Sequence, residues 1–413
     1  MKSVRALASV AIAGLVAMPG LAKAQSDESF NLFTSINNPG LTAFDIAWTD
    51  RSVGFYFLAD RSNKSVDLIN LDTKFFGRYF AGNWAGATGN NNTSGPNGLL
   101  TLVNTTNGNK TEIWTGDGPQ VQAGCPTQAP WSGKCSAVKV LDFATGNLTH
   151  TIITNGLNRA DELCFDPKDH LILIANDAEN INFVSLISTD DYTVKGVLAL
   201  PQATNGIEQC QWDGQQKLFF LNLPEVDGPG DDSGPGAVLV ITPNLQVLGQ
   251  FNVNIAHCAG PQGMALGSGP ANGQMLLGCN APSPPSPSGC KPGTCSPVGL
   301  GPQSSVIISK FTGAEIAVAW GLGGADEVWF NPGDNHYAIA SAVCTPTGCL
   351  SHTPAQLAFV DAVSLTLDQV LVIQKTTGVN PSKVTVDPVT NEVYLANSGR
   401  VDVFFPSGRD SDD

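Results

Sequence analysis

Charged side chains are scarce in this chain, and the sequence motifs of several large enzyme classes are missing. Asp, Glu, Lys and Arg make up 14% of the 413 residues, against roughly a quarter in an average soluble domain. There is no Gly-x-Ser-x-Gly elbow, no His-Glu-x-x-His motif, no phosphate-binding loop and no dinucleotide fingerprint. The sequence therefore does not indicate an α/β-hydrolase, a zincin protease or a nucleotide-dependent enzyme.

Long apolar runs are absent after the N-terminus. Lys2 and Arg5 precede a short apolar run, Ala6 to Met18, and Ala22-Lys23-Ala24 has the small-x-small pattern of a cleavage site. The run is too short to span a bilayer. We therefore expect residues 1–24 to be a signal peptide and residues 25–413 to form one exported domain, secreted or periplasmic, with no membrane as partner. An uncleaved N-terminal anchor is the alternative.

Basic residues are few, and no basic patch offsets the acidic ones. Without the three basic residues of the signal segment, 18 basic residues face 36 acidic residues, which gives a net charge of −18. Such a surface repels nucleic acid and anionic membranes. We therefore expect neither as a partner.

The cysteines include no Cys-x-x-Cys pair, which disfavours a zinc site. An even number of cysteines in an exported chain favours disulfides instead. Cys258 and Cys279 bracket one predicted hairpin, whereas Cys164 and Cys210 are expected either to bond to each other or to stay free thiols. The remaining candidates are three pairs close in sequence: Cys125 with Cys135, Cys290 with Cys295, and Cys344 with Cys349.

A strand–turn–strand unit recurs along the chain, and helical periodicity is absent after the signal segment. An alternating apolar strand, an Asp-Pro or Asn-Pro turn and a returning strand appear at 162–176, 327–341 and 383–397. Looser copies start at Asp45, Asn97, Glu208 and Gln262, and a third strand and usually a fourth follow each copy. Four strands per unit, at intervals of 46 to 65 residues, are typical of propeller blades.

The number of predicted strands is the number that a closed ring of seven four-stranded blades needs. The seventh unit has three strands before the chain ends, and a spare strand, Phe30 to Ile36, precedes the first unit. This strand can complete the last blade and leave no open edge. We therefore predict an all-β, seven-bladed β-propeller with inner strands starting near 45, 97, 162, 208, 262, 327 and 383. A six-bladed ring with one unit misread is the alternative.

The repeat resembles a known family. The segment VTVDPVTNEVYLANSGRVDVF (384–404) looks like the YVTN repeat of secreted and surface propellers, and VGFYFLADRSNKSVDLINLDT (53–73) looks similar. The resemblance implies a propeller but no particular reaction. More distantly, the layout is similar to gluconolactonase-like propellers, which hold a divalent metal in the channel and hydrolyse lactones or esters. This chain departs from them in blade number and lacks a clear copy of their metal-ligand motifs.

The first position of each inner strand is polar although the strands are otherwise apolar. In a propeller these positions meet around the central channel, where clustered carboxylates repel one another and resist ionisation. A bound divalent metal or the internal cation Lys383 would relieve that repulsion, and oxygen ligands suit Ca²⁺ best, with Mg²⁺ or Mn²⁺ as alternatives. A water-filled polar channel without metal is the other interpretation. The predicted metal ligands are Asp45, Glu162, Glu208 and Glu327, and Asn97 and Gln262 complete the channel lining.

A second set of polar residues ends the second strand of most blades, where it could surround the channel mouth or simply form turns. Long connections between second and third strands rise on the same face, where binding sites usually lie. The predicted lining residues of this set are Asp60, Asn176, Asn222, Asn280 and Asn397.

Two functions are consistent with these features. The first is a metal-dependent hydrolase of lactones or esters, in which Lys383 stabilises an oxyanion and either a spare carboxylate or His257, just before the fifth inner strand, accepts a proton. The second is a non-catalytic exported propeller that binds a protein, a glycan or a small molecule with its disulfide-stiffened top loops. In both cases we expect a monomer.

Overall fold

Seven four-stranded antiparallel sheets form a ring, in a computed structural model that describes residues 29–281, 304–341, 355–373 and 381–407. Each of the first six blades takes its four strands in chain order from the channel outwards. Two short 3-10 turns, Asn91–Thr93 and Gly269–Ala271, are the helical segments among the described residues.

The strands have the following bounds. Strand β1 is Phe30–Asn37; blade one (β2–β5) has Ala47–Asp50, Phe55–Asp60, Ser65–Asn70 and Phe76–Tyr79; blade two (β6–β9) has Leu99–Asn104, Lys110–Val121, Lys134–Asp142 and Leu148–Ile153. Blade three (β10–β13) has Ala160–Asp166, Leu171–Asn176, Phe183–Ser188 and Thr193–Ala199; blade four (β14–β17) has Cys210–Asp213, Leu218–Leu223, Ala237–Ile241 and Val247–Asn252; blade five (β18–β21) has Ala259–Leu266, Gln274–Ala281, Ser304–Ser309 and Glu315–Trp320. Blade six (β22–β25) has Val328–Asn331, His336–Ser341, Ala355–Asp361 and Thr366–Ile373, and blade seven adds β26–β28, which are Lys383–Asp387, Glu392–Asn397 and Arg400–Pro406.

The N-terminal strand closes the ring, as predicted. Strand β1 pairs antiparallel with β28, from Phe30 opposite Pro406 to Asn37 opposite Arg400. The side chain of Phe30 is 1% exposed and stacks on Phe359 of blade six at 3.7 Å between ring centroids. The first and last strands of the described chain therefore share one blade.

The core lies between neighbouring blades, because both faces of each twisted sheet are covered. Between blades three and four, Leu173 and Val184 pack with Phe219 and Leu221. The outermost strands differ, since one of their faces meets solvent; in β13 exposed and half-buried residues alternate from Thr193 to Ala199.

Three disulfides are present among the described residues: Cys125–Cys135, Cys164–Cys210 and Cys258–Cys279. The two Cα atoms of Cys164 and Cys210 lie 5.6 Å apart on the adjacent inner strands of blades three and four. The bonded alternative for this pair is therefore the observed one. The predicted pairs Cys290–Cys295 and Cys344–Cys349 lie outside the described residues, as does the predicted signal peptide.

The inner strands all begin on one face of the ring, called here the top face. On the bottom face, turns between first and second strands are capped by aspartates such as Asp50, Asp166 and Asp387, which accept the backbone N–H two residues ahead. Trp48 and Trp329 meet edge to face across the lower channel, with ring centroids 5.2 Å apart. Among the described residues no helix is long and apolar enough to cross a membrane.

Candidate functional site

A cavity of about 330 Å³ opens at the top of the central channel. The starts of the inner strands and the loops just before them form its wall. The observed inner strands begin at 47, 99, 160, 210, 259, 328 and 383, within three residues of the predicted positions. Five of the seven predicted ring residues line this cavity: Asp45, Glu162, Glu208, Gln262 and Lys383.

The other two ring residues contact neighbouring blades instead. Asn97 is fully buried, donates to the Ala160 carbonyl at 2.8 Å and accepts from Arg61 Nε at 3.0 Å. Glu327, from blade six, reaches past blade seven and accepts the Ala47 N–H of blade one at 3.2 Å. Its second oxygen, Oε1, is buried and has no hydrogen-bond partner.

Lys383 is the internal cation that the sequence indicated. Its Nζ lies 2.9 Å from Asp45 Oδ1 and 2.6 Å from Asp326 Oδ2. Burial alone lowers the pKa of Lys383, but Asp326 and Asp45 outweigh it and raise that pKa well above its ordinary value. The ammonium group therefore stays charged and joins blade seven to blades one and six.

Two arginines that sequence analysis missed supply further charge. Arg61 follows the second strand of blade one, pairs with Asp45 Oδ2, and donates its other hydrogen bonds to the side-chain oxygens of Asn97 and Asn91. Arg159 precedes the third inner strand, pairs with Asp161, and lies 2.6 Å from Asp177 Oδ2 and 4.0 Å from Glu208 Oε1. Both side chains are 8% exposed, so their charges act in a medium of low polarity.

Acidic groups outnumber these cations. Seven carboxyl groups surround three cations, which leaves an excess of four negative charges if every carboxyl is ionised. The seven are Asp45, Asp161, Glu162, Asp177, Glu208, Asp326 and Glu327.

Four of the seven have raised pKa values. Burial raises the pKa of Asp161 to about 7 against the opposing charge of Arg159. Burial, reinforced by neighbouring carboxylates, also raises the pKa of Glu162 and Glu208 well above the ordinary value. Burial also raises the pKa of Glu327, although the nearby charge of Lys383 opposes this shift. Protons on these four groups would balance the excess negative charge.

Asp45 behaves in the opposite way. Burial by itself raises its pKa, but Arg61 and Lys383 outweigh burial and hold the pKa below its ordinary value. Asp45 is therefore an ionised partner for two cations, and each of its oxygens is already engaged.

The four predicted metal ligands are arranged around protein cations rather than around one point. Among the described residues, the group of three potential ligands whose atoms lie within 4.8 Å of one another is elsewhere, in blade six. The orphaned Glu327 Oε1 and the raised carboxyl pKa values would suit a cation, but Asp45 already serves Arg61 and Lys383. The Ca²⁺ site in the channel stays a prediction.

The predicted second ring does not line the cavity. Asp60 accepts hydrogen bonds from Asn63 within its own turn, and Asn176 donates to Ser185 at 3.0 Å. Asn222 donates to the Gln262 and Gly263 carbonyls and so supports the cavity wall from behind. Asn397 donates to Asp402 at 3.1 Å, and Asn280 is exposed. The turn interpretation fits these residues better.

His257 lies away from the channel. Its ring meets Trp320 edge to face at 5.0 Å, and its Nδ1 is 2.7 Å from Glu315 Oε2. Both partners belong to β21, the outermost strand of blade five. His257 lies on the loop between β17 and β18, and its ring is directed to the outer edge of blade five. It is therefore not among the residues that line the cavity.

Comparison with known proteins supports the fold. No protein-family model matches the chain, and no curated protein matches it in sequence. The chain is similar to the WD40 domain of Neurospora crassa Pan2, with 10% identity, a TM-score of 0.58, and 95% of this chain and 98% of that chain covered. It is also similar to Kuenenia stuttgartiensis hydrazine synthase, with 13% identity, a TM-score of 0.61, and 95% and 99% covered. At such identities the likeness concerns the fold alone, and it identifies the chain as a β-propeller.

Proposed function

We propose that this chain binds a small polar molecule at the top of its channel and hydrolyses a lactone or ester bond in it. The observation that carries the proposal is the cavity in which buried carboxyl groups with raised pKa values lie beside buried cations. Its volume, about 330 Å³, is at the lower end of the range for small-molecule sites. Clusters of perturbed titratable groups in a cleft are typical of active sites.

The cavity residues can divide the work of hydrolysis. Asp161 suits a general base, because its pKa of about 7 leaves it partly ionised at neutral pH and its Oδ1 makes no hydrogen bond. It would take a proton from the water that attacks the carbonyl carbon. Lys383 and Arg159 would stabilise the oxyanion. Glu162, which stays protonated, would give its proton to the departing alkoxide, so that lactone and water yield a hydroxy acid.

The test is a screen of aliphatic lactones and aryl esters with the purified protein, with and without EDTA. We expect hydrolysis to fall by about 100-fold or more in Asp161→Asn and Glu162→Gln, since acid–base groups contribute about that much. Asp191→Asn, which removes an exposed partner of Lys195, is the matched control and should keep full activity. Unchanged activity in both cavity variants would refute the assignment, and loss in EDTA with recovery in Ca²⁺ would restore the channel-metal route.

Non-catalytic binding is the second candidate. It is favoured because each of the three cavity cations is already paired with a carboxylate, and because the Cys125–Cys135 disulfide holds a connection between second and third strands on the top face. In that case, ligands would bind by calorimetry without turnover, and deletion of 122–133 would weaken binding more than the cavity variants do. A small molecule or a glycan remains the proposed ligand.

We further propose that the protein acts outside the cytoplasm, secreted or in the periplasm. The three disulfides support an oxidising compartment. Fractionation of expressing cells, with the N-terminal sequence of the mature chain, tests the location and the cleavage after Ala24 together.

A further inference from the structure

A cluster of possible metal ligands lies on the bottom face of blade six, at the end of the ring opposite the cavity. His336 begins strand β23, Asp361 ends β24, and Asp368 lies in β25. One ligand atom from each lies within 4.8 Å of the others, and the part of the chain that the structure describes contains no other such group of three. The turns at the bottom of the blade bring them together, because consecutive strands reverse there.

The contacts of these residues resemble those of side chains that bind one metal ion and are held in place by neighbouring hydrogen bonds. His336 Nε2 is 3.1 Å from Asp368 Oδ2, a separation normal for two ligands on one ion. Asp368 Oδ1 accepts the Thr366 hydroxyl at 2.8 Å, which fixes the carboxylate with Oδ2 towards the imidazole. Asp361 uses Oδ1 to accept the N–H groups of Val363 and Ser364.

The other ring nitrogen of His336 faces a third carboxylate. Nδ1 lies 3.3 Å from Asp334 Oδ1 but makes no hydrogen bond to it, and that oxygen accepts the His336 backbone N–H at 3.0 Å. Metal-binding histidines commonly donate their second ring N–H to a carboxylate, and Asp334 is the carboxylate within reach of this nitrogen. The Asp334 side chain is 4% exposed, and its Oδ2 is buried without a hydrogen-bond partner. An unpaired buried carboxylate oxygen is costly. Three carboxylates around one imidazole also leave excess negative charge even when the imidazole carries a proton.

We propose that this cluster binds a divalent transition-metal ion of the Zn²⁺ type through His336 Nε2, Asp361 and Asp368, with Asp334 orienting the imidazole. Nitrogen and carboxylate ligands of this kind suit Zn²⁺, and water would fill the remaining position. The ion would tie the β22–β23 turn to the β24–β25 turn. It would do so beside Phe30 of the ring-closing strand, whose ring lies 5.8 Å from that of His336.

The alternative to a bound metal ion is a proton on the imidazole of His336. Burial alone lowers the pKa of His336, but Asp334 and Asp368 raise it to about 9. Without metal the imidazole is then a charged partner in a structural ion pair, and a metal must displace that proton to bind.

The experiment is to strip the purified full-length protein of metal, titrate it with ZnCl₂ by calorimetry, and measure zinc after desalting by elemental mass spectrometry. We expect about one Zn²⁺ per chain, lost in His336→Ala and in Asp361→Asn. Asp334→Asn should weaken binding by about 10- to 100-fold, as for other residues that orient a ligand. His170→Ala is the matched control, because His170 pairs with Asp190 at 2.8 Å in a similar turn of blade three and belongs to no such group.

Two results would overturn the proposal. One is the absence of stoichiometric zinc in the wild type, which leaves the imidazolium ion pair. The other is zinc that persists in Asp361→Asn, a variant at a half-exposed position whose folding is checked by circular dichroism. Zinc lost in Glu162→Gln instead would assign it to the channel cavity.

Discussion

Replacing Lys383 with Met should destabilise the propeller by about 3 kcal/mol at neutral pH, because it removes one of the three cations at the channel mouth. Lys383 is 4% exposed, and its Nζ contacts Asp45 and Asp326 at 2.9 and 2.6 Å. The substitution keeps most of the side-chain volume, so the loss of stability comes from the removed charge rather than from altered packing. No replacement cation for Asp326 lies among its described ion pairs.

The magnitude follows from the surroundings of the two carboxylates. Breaking a buried ion pair by removing one partner typically costs about 3 to 5 kcal/mol. The lower figure applies here, because Arg61 remains on Asp45 and the Asp326 side chain is 33% exposed to water. Asp326→Asn in the Lys383→Met background should recover part of the loss, since it removes the carboxylate left without its cation.

The loss should also depend on pH. The pKa of Asp45 in the folded protein is held below its unfolded value, so Asp45 stabilises the fold above about pH 4 and this contribution disappears as pH falls through the folded pKa. Without Lys383 that contribution shrinks. The difference between wild type and variant should therefore be largest near pH 7, change little down to about pH 4, and be smaller near pH 2. The two pH values to compare are pH 7 and pH 2.

Urea unfolding followed by tryptophan fluorescence, at both pH values, measures this difference. Lys195→Met is the control, because Lys195 forms an exposed pair with Asp191 and should cost less than about 0.5 kcal/mol. A loss below about 1 kcal/mol at pH 7, or one independent of pH, would mean that Lys383 does not neutralise the cavity carboxylates.

Three further measurements test other parts of the structure. Cys164→Ser/Cys210→Ser should cost about 4 kcal/mol in urea unfolding, because this disulfide closes a loop of 46 residues. Phe30→Ala should lower the free energy of unfolding by about 3 to 5 kcal/mol and lower the melting temperature. Phe33→Ala, at a 52% exposed position, should change the melting temperature little. Burial and the neighbouring Asp60 raise the pKa of Asp67 to about 7, so the folded state holds a proton that the unfolded state releases above about pH 4. Stability from this group therefore falls as pH rises towards 7, and Asp67→Asn should flatten that part of a pH–stability curve measured by urea unfolding.

The fold was predictable because its signals are local. Three inner strands and their returning strands have an alternating apolar pattern with an Asp-Pro or Asn-Pro turn between them, and looser copies of the unit give the remaining blades. Ring closure needed one further step, the match between the spare strand at Phe30 and the missing fourth strand after Arg400–Pro406. These inferences require no knowledge of side-chain contacts between blades.

The site was predictable in its position but not in its charges. The strand starts indicated Asp45, Glu162 and Lys383, because polar residues in apolar strands must face a common axis. Asp60 and Asn176 were selected at the ends of second strands, whereas the residues one position later, Arg61 and Asp177, reach the channel cations and carboxylates. Successive residues of a strand point to opposite sides, so an error of one position exchanges a turn residue for a channel residue.

A local irregularity explains another omission. The pairing of β10 with β11 shifts register between Ala160 and Leu163. Such a shift lets two consecutive residues face the same side, and both Asp161 and Glu162 line the cavity. The sequence does contain a signal for it, since Ala-Asp-Glu followed by Leu or Val occurs at 160–163 and again at 325–328. In both copies the Asp pairs with a buried cation and the Glu has a raised pKa.

The two ends of the channel differ, and this difference favours the top face as the entrance for the proposed ligand. At the top, charged side chains surround an open cavity, whereas below it Glu327 crosses from blade six to the Ala47 N–H of blade one. Still lower, Trp48 and Trp329 pack against each other, and Trp48 is held by the Thr101 hydroxyl at 3.0 Å. A polar ligand that entered from below would have to pass these rings and displace a buried hydrogen bond. Entry from the top meets neither barrier, so residues of the top loops are the ones whose substitution should change which ligands reach Asp161 and Glu162.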